Sequence, residues 1–139
     1  MDDLDKAIQA ARLRVDTTPE DYADRAQQLG HLGMLLADRH YYETESMADL
    51  DDAIQFQRQS INLTQKDLRQ PKDLSDLGGL LFHRYQITGE LAKLDEAIRL
   101  ETGILSDTLD GIEQAMYWNG LGILFYARYR GIRARADIE

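Results

Sequence analysis

Apolar residues in this chain recur at helical spacing, and the spacing itself repeats. Leu4, Ala7, Ile8 and Ala11 fall at i, i+3, i+4 and i+7, which is one face of a helix. Leu50, Ala53, Ile54 and Ile61 renew that stripe, as do Leu94, Ala97, Ile98 and Leu105. A second kind of stripe runs through Leu29, Leu32, Gly33 and Leu36, and again through Trp118, Leu121, Gly122 and Phe125. Together they predict helices over roughly 3–15, 19–41, 47–64, 71–87, 90–106 and 109–130.

The stripes belong to two motifs. The first reads Asp3-Leu4-Asp5-Lys6-Ala7-Ile8, then Asp49-Leu50-Asp51-Asp52-Ala53-Ile54, then Lys93-Leu94-Asp95-Glu96-Ala97-Ile98, with alanines 46 and 44 residues apart. The second reads Leu32-Gly33-Met34-Leu35-Leu36, Leu77-Gly78-Gly79-Leu80-Leu81 and Leu121-Gly122-Ile123-Leu124-Phe125, with glycines 45 and 44 apart. Two motifs sharing one period define an internal repeat. Glycine inside a helix costs about 1 kcal/mol relative to alanine. Its return at one phase therefore predicts close approach of a neighbouring helix, with Ala7, Ala53 and Ala97 as the facing half.

Boundaries follow from caps and breakers. Asp3 and Asp49 read as N-caps. Thr18-Pro19-Glu20-Asp21 reads as an N-cap with proline at the first helical position, and Pro71 opens another helix. Thr88-Gly89-Glu90 reads as a stop and restart. The short loops predict antiparallel neighbours.

These residues resemble a tetratricopeptide repeat, a helix–turn–helix unit of about 34 residues. Leu32-Gly33, Leu77-Gly78 and Leu121-Gly122 match that family's first-helix Leu-Gly, and Ala53 and Ala97 match its second-helix alanine. Tyr117-Trp118-Asn119-Gly120-Leu121-Gly122 is the closest single match. The longer period is similar to a variant found in fungal multi-repeat proteins. The resemblance implies an all-α fold: antiparallel helix hairpins in a short right-handed superhelix of about six helices. In that phase the chain holds a half unit at 1–16, units at about 17–64 and 65–106, and a half unit at 107–139. Ala136-Asp137-Ile138-Glu139 reads as the opening of a further helix, so the chain is expected to be part of a longer array. Open repeat ends expose apolar faces and invite self-association.

Composition narrows the chemistry. The length of 139 residues and 43% hydrophobic content suit one folded domain. The absence of cysteine excludes disulfides, thiolate catalysis and cysteine zinc sites. No apolar run is long enough to span a membrane, and the acidic start is unlike a signal peptide, so a cytoplasmic location is expected. The net charge of −9 argues against nucleic acid. The last twelve residues depart from this balance, with four arginines against two acids.

No catalytic constellation emerges, and neither cofactor nor metal is expected. His31, His40 and His83 do not share a helix face and read as capping or partly exposed groups. Asp51-Asp52 and Asp95-Glu96 read as first-turn acids suited to the helix dipole. Asn119-Gly120-Leu121-Gly122 lacks the strand and lysine of a phosphate loop and reads as helix-packing glycine. Arg39, Arg84 and Arg128 share one phase; they read as a basic stripe for an acidic partner or, in preference, as structural partners of Asp51, Asp95 or the equivalent acid of the adjacent helix.

The resemblance places a partner-binding surface on the first-type helices. Counting from each Leu-Gly, it includes Met34 and Asp38, then Lys72, Ser75, Phe82 and His83, then Met116, Asn119, Ile123 and Tyr126. Only Lys72 among these is cationic. The leading expectation is a non-enzymatic scaffold binding a protein or peptide, including a second copy of itself, with no nucleic acid and no membrane. A structural, self-associating spacer is the alternative. A carboxylate-dependent hydrolase is the remote one.

Overall fold

A computed structural model describes residues 1–105 and 110–138. Among these residues the chain forms six α-helices and no strand: α1 Asp3–Thr17, α2 Arg25–Arg39, α3 Met47–Leu63, α4 Pro71–Thr88, α5 Leu91–Leu105 and α6 Gly111–Ile138. The fold class is all-α; α1 packs on α2, α2 on α3, and α5 on α6. Residues divide into two units, Met1–Asp73 and the segment from Leu74 onward.

In the N-terminal unit, Leu29, Leu32 and Leu36 of α2 are buried together with Leu50, Ala53, Ile54 and Ile61 of α3. Ile8, Ala11 and Val15 bury the inner face of α1. Each such Leu or Ile contributes about 1.5–3 kcal/mol through burial, so the apolar stripes hold this unit together. The C-terminal unit repeats the scheme with Leu77, Leu80 and Leu81 of α4 and Leu94, Ala97, Ile98 and Ile104 of α5. On α6 the buried apolar positions are Leu121 and Leu124; Trp118 and Phe125 of the expected stripe are exposed.

Several boundaries differ from the sequence expectation. Pro19 does not start a helix. Thr18 is extended, as the residue before proline should be. The chain then turns twice, through Tyr22 N to Pro19 O at 3.1 Å and Arg25 N to Tyr22 O at 3.0 Å, before α2 begins at Arg25. Arg25 donates to the carbonyls of Val15 and Thr18, so a side chain from α2 satisfies the end of α1. The N-caps are Asp2, which accepts from Asp5 N at 2.8 Å, and Ser46, which accepts from Asp49 N. Asp3 and Asp49 fall inside the first turns instead. Pro71 and Gly89 act as expected: α4 opens on the proline, and Gly89 takes φ 74° between α4 and α5.

The α2–α3 joint carries a π-helical turn, His40–Thr44, closed by Glu45 N to His40 O at 2.9 Å. His40 is buried in it, and its Nδ1 lies 2.7 Å from Ser46 O. A carbonyl can only accept, so Nδ1 carries the proton. This histidine therefore locks the joint from inside rather than capping it from the surface. Ala136, Asp137 and Ile138 complete α6, which runs without interruption through Gly120, Gly122 and Gly131, and do not open a new helix. Glu139 lies outside the described residues.

The repeat glycines behave as a graded series. A Cβ on Gly33 would lie 3.2 Å from Ala53 O and 3.2 Å from Gln57 Cγ, which is the close approach the sequence predicts. At Gly78 the nearest atom would be Glu101 Oε1 at 3.4 Å, an ordinary contact, with Ala97 O at 3.9 Å. At Gly122 nothing lies within 4 Å. The tight glycine of α6 is another one: a Cβ on Gly131 would sit 2.5 Å from the Tyr85 hydroxyl.

Candidate interaction surface

Each unit carries its own hollow beside a first-type helix. In the N-terminal unit a hollow of about 430 Å³ lies between α2 and α3, with Gln27, Gly30, His31, Met34, Gln57 and Ser60 in its wall. Its floor is built from polar groups that are already engaged. Ser60 Oγ donates to Ala26 O at 2.6 Å, and Gln57 Nε2 donates to Gly30 O at 3.3 Å. Met34 stands exposed on its wall, and Asp38 follows one turn later, also exposed. Lys72 is exposed in the first turn of α4; its neighbour Asp73 reaches the hollow wall.

The C-terminal unit holds a more apolar pair of hollows. Ser75, Phe82 and Ile123 line the smaller, about 210 Å³, together with Glu101 and Leu124. Phe82, Ile123 and Tyr126 line the larger, a groove of about 450 Å³ shared with Tyr85, Arg130 and Gly131. Side-chain contacts form the groove floor: Phe82 stacks on Tyr85 at 6.4 Å, and the Tyr85 hydroxyl donates to Ala127 O at 3.4 Å across the notch of Gly131. Tyr126 stacks on Tyr129, and the Arg130 guanidinium lies 6.0 Å from the Tyr126 ring. Three sequence-predicted residues, Phe82, Ile123 and Tyr126, thus converge. Met116 and Asn119 stand exposed earlier on α6, and His83 is half-buried on α4.

Aligning the repeats exposes a pair that motif reading passes over. Gly30 corresponds to Ser75, and Gln57 to Glu101. In the first case the Gln57 amide donates to a backbone carbonyl; in the second the Ser75 hydroxyl donates to Glu101 Oε1 at 3.2 Å. Burial pushes the Glu101 carboxyl above its ordinary range, and the Ser75 hydrogen bond opposes that in part. The signal was the change of residue type at two facing repeat positions together.

The phased arginines have structural partners. Arg39 grips Asp49 through Nε at 2.9 Å and a terminal nitrogen at 2.8 Å, and reaches Asp5 at 3.1 Å. The Arg39 hydrogen bond holds the Asp49 carboxyl below its usual range, against the opposing pull of burial. Arg128 pairs with Asp95 at 3.2 Å, and Arg84 lies 3.8 Å from Glu90. Near the start of α1, the carboxylates of Asp2, Asp5 and Glu43 lie within 4.8 Å of one another on an exposed surface. Asp2 is occupied there as the cap of α1.

No described helix is long and apolar enough to cross a membrane. No family model, no curated protein and no solved structure matches the chain.

Proposed function

We propose that this chain is a non-enzymatic protein-interaction scaffold built from long-period, tetratricopeptide-like helix pairs, acting in the cytoplasm. The observation that carries the reading is the groove of the C-terminal unit. It presents Phe82, Ile123 and Tyr126 with an arginine at the edge, on a floor that is already hydrogen-bonded. Aromatic anchors on a helical backbone with arginine beside them are the composition of binding hot spots. An extended peptide offering apolar side chains and an acidic group fits that lining. The two carboxylates buried among the described residues support the non-enzymatic side of the proposal, since Asp49 is engaged by Arg39 and Glu101 by Ser75.

The test is selection from a displayed peptide library on the immobilised chain, followed by titration of the enriched peptides. Enrichment of apolar and acidic sequences, with binding lost in Tyr126→Ala and Ile123→Asp, is the expected result. Enrichment indifferent to both substitutions, or none at all, refutes the reading.

A further inference from the structure

We infer that copies of this chain associate head to tail, with the exposed face of α6 in one copy receiving α1 of the next. This deepens the scaffold reading by naming one partner. It rests on that reading only for the repeat pairing, and it uses the neighbouring face of α6.

The pairing rule is visible inside the chain. In the N-terminal unit the Leu-Gly face of α2 covers the Ala-Ile face of α3, with Gly33 against the Ala53 carbonyl. In the C-terminal unit Gly78 of α4 faces Ala97 of α5 in the same sense. Leu50, Ala53, Leu94 and Ala97 are fully buried as a result. The same rule leaves two unmatched halves. On α1 the corresponding Leu4 and Ala7 are only half-buried. On α6, Trp118, Gly122, Phe125 and Tyr129 correspond to Leu29, Gly33, Leu36 and His40 of α2. Leu29, Leu36 and His40 are 3%, 0% and 2% exposed, whereas Trp118, Phe125 and Tyr129 are 60%, 43% and 57% exposed. The four α6 residues lie at i, i+4, i+7 and i+11, one continuous helix face. Gly122 makes a notch in it, with nothing within 4 Å of a Cβ placed there.

Charge selects the same occupant. Arg39 holds two carboxylates, Asp5 of the helix before it and Asp49 of the helix after it. Among the described residues Arg128 holds one, Asp95 of the helix before it. The α1 residue in register with Asp49 is Asp3, which is fully exposed and has Lys6 of its own helix 3.6 Å away. A second copy whose α1 lies on this face as α3 lies on α2 brings Ala7 to the Gly122 notch and Asp3 to Arg128. The acidic start of α1, with Asp2, Asp3 and Asp5, then approaches the arginine-rich end of α6. Such an interface is heterologous, so each assembly keeps a free α1 and a free α6 unless it closes into a ring.

The experiment is sedimentation equilibrium of the full chain over the micromolar to millimolar range. Weight-average mass should rise with concentration. Gly122→Ala should weaken association about tenfold, since a Cβ crowds the notch, while leaving the helical circular dichroism intact. Gly122→Glu and Ala7→Glu should each suppress association alone. Mixed together they should form a one-to-one dimer that grows no further, because each retains one intact half. A chain monomeric at every concentration overturns the inference. So does a mixture that stays monomeric while the unmodified chain associates, which is the mark of a face-to-face contact. Phe82→Ala, which alters the groove from α4, should leave self-association unchanged. A monomeric chain that still binds the selected peptides sinks this inference alone, and a self-associating chain that binds none sinks the peptide-groove proposal alone.

Discussion

One methyl group added to each repeat glycine should give three different results. Replacing an interior helical glycine with alanine gains about 1 kcal/mol of helix propensity when the site is open. Gly122 is such a site, so Gly122→Ala should stabilise the monomer by about that amount. At Gly78 the new Cβ would touch Glu101 Oε1 at 3.4 Å, the movable end of a side chain, so most of the gain should survive. At Gly33 it would meet the Ala53 carbonyl oxygen at 3.2 Å and the Gln57 nitrogen at 3.4 Å. Those atoms belong to the backbone of α3 and move only if the helix moves. Overpacking of that kind costs about 1–3 kcal/mol, which offsets or exceeds the propensity gain and leaves Gly33→Ala about 1 kcal/mol destabilised. Urea titrations followed by circular dichroism, at concentrations where the chain is monomeric, measure the order. Gly122→Ala should be most stable relative to wild type and Gly33→Ala least, separated by about 2 kcal/mol. Equal stabilisation by all three would refute the assignment of Gly33 to a helix contact.

Three further outcomes follow from the polar groups. Arg39→Met should destabilise the N-terminal unit by about 1–3 kcal/mol, because Asp49 stays buried without its partner. Since Asp49 is held below its unfolded value, its contribution is present above about pH 4 and is lost as pH falls through the depressed folded value; the gap between Arg39→Met and wild type should therefore narrow in acid denaturation, and a gap independent of pH would contradict the pairing. Glu101 is shifted the other way, so the stability it contributes is present below its unfolded value and is lost as pH rises through the raised folded one. Glu101→Gln should accordingly raise the thermal midpoint at neutral pH and converge with wild type in acid. Ser46→Ala should cost about 1 kcal/mol through loss of the α3 cap, readable as a lower urea midpoint with unchanged slope.

The hydrophobic period by itself determined the helices, their number and the identity of most core residues. Period is a local property, and a buried stripe must match it whatever the neighbours are. Pro71 and Gly89 were legible for the same reason: each acts through its own backbone. Pro19 was not, because the start of α2 depends on Arg25 reaching back to the carbonyls of α1, a contact ten residues long in sequence. Nor could the glycine phase distinguish Gly33 from Gly122. The motif is the same, but only the fold shows that α3 lies against the first and that the second is open. The clustering of Phe82, Ile123 and Tyr126 beside the Gly131 notch was likewise decided in three dimensions, by the crossing of α4 and α6, since a repeat phase names a helix face without saying what that face meets.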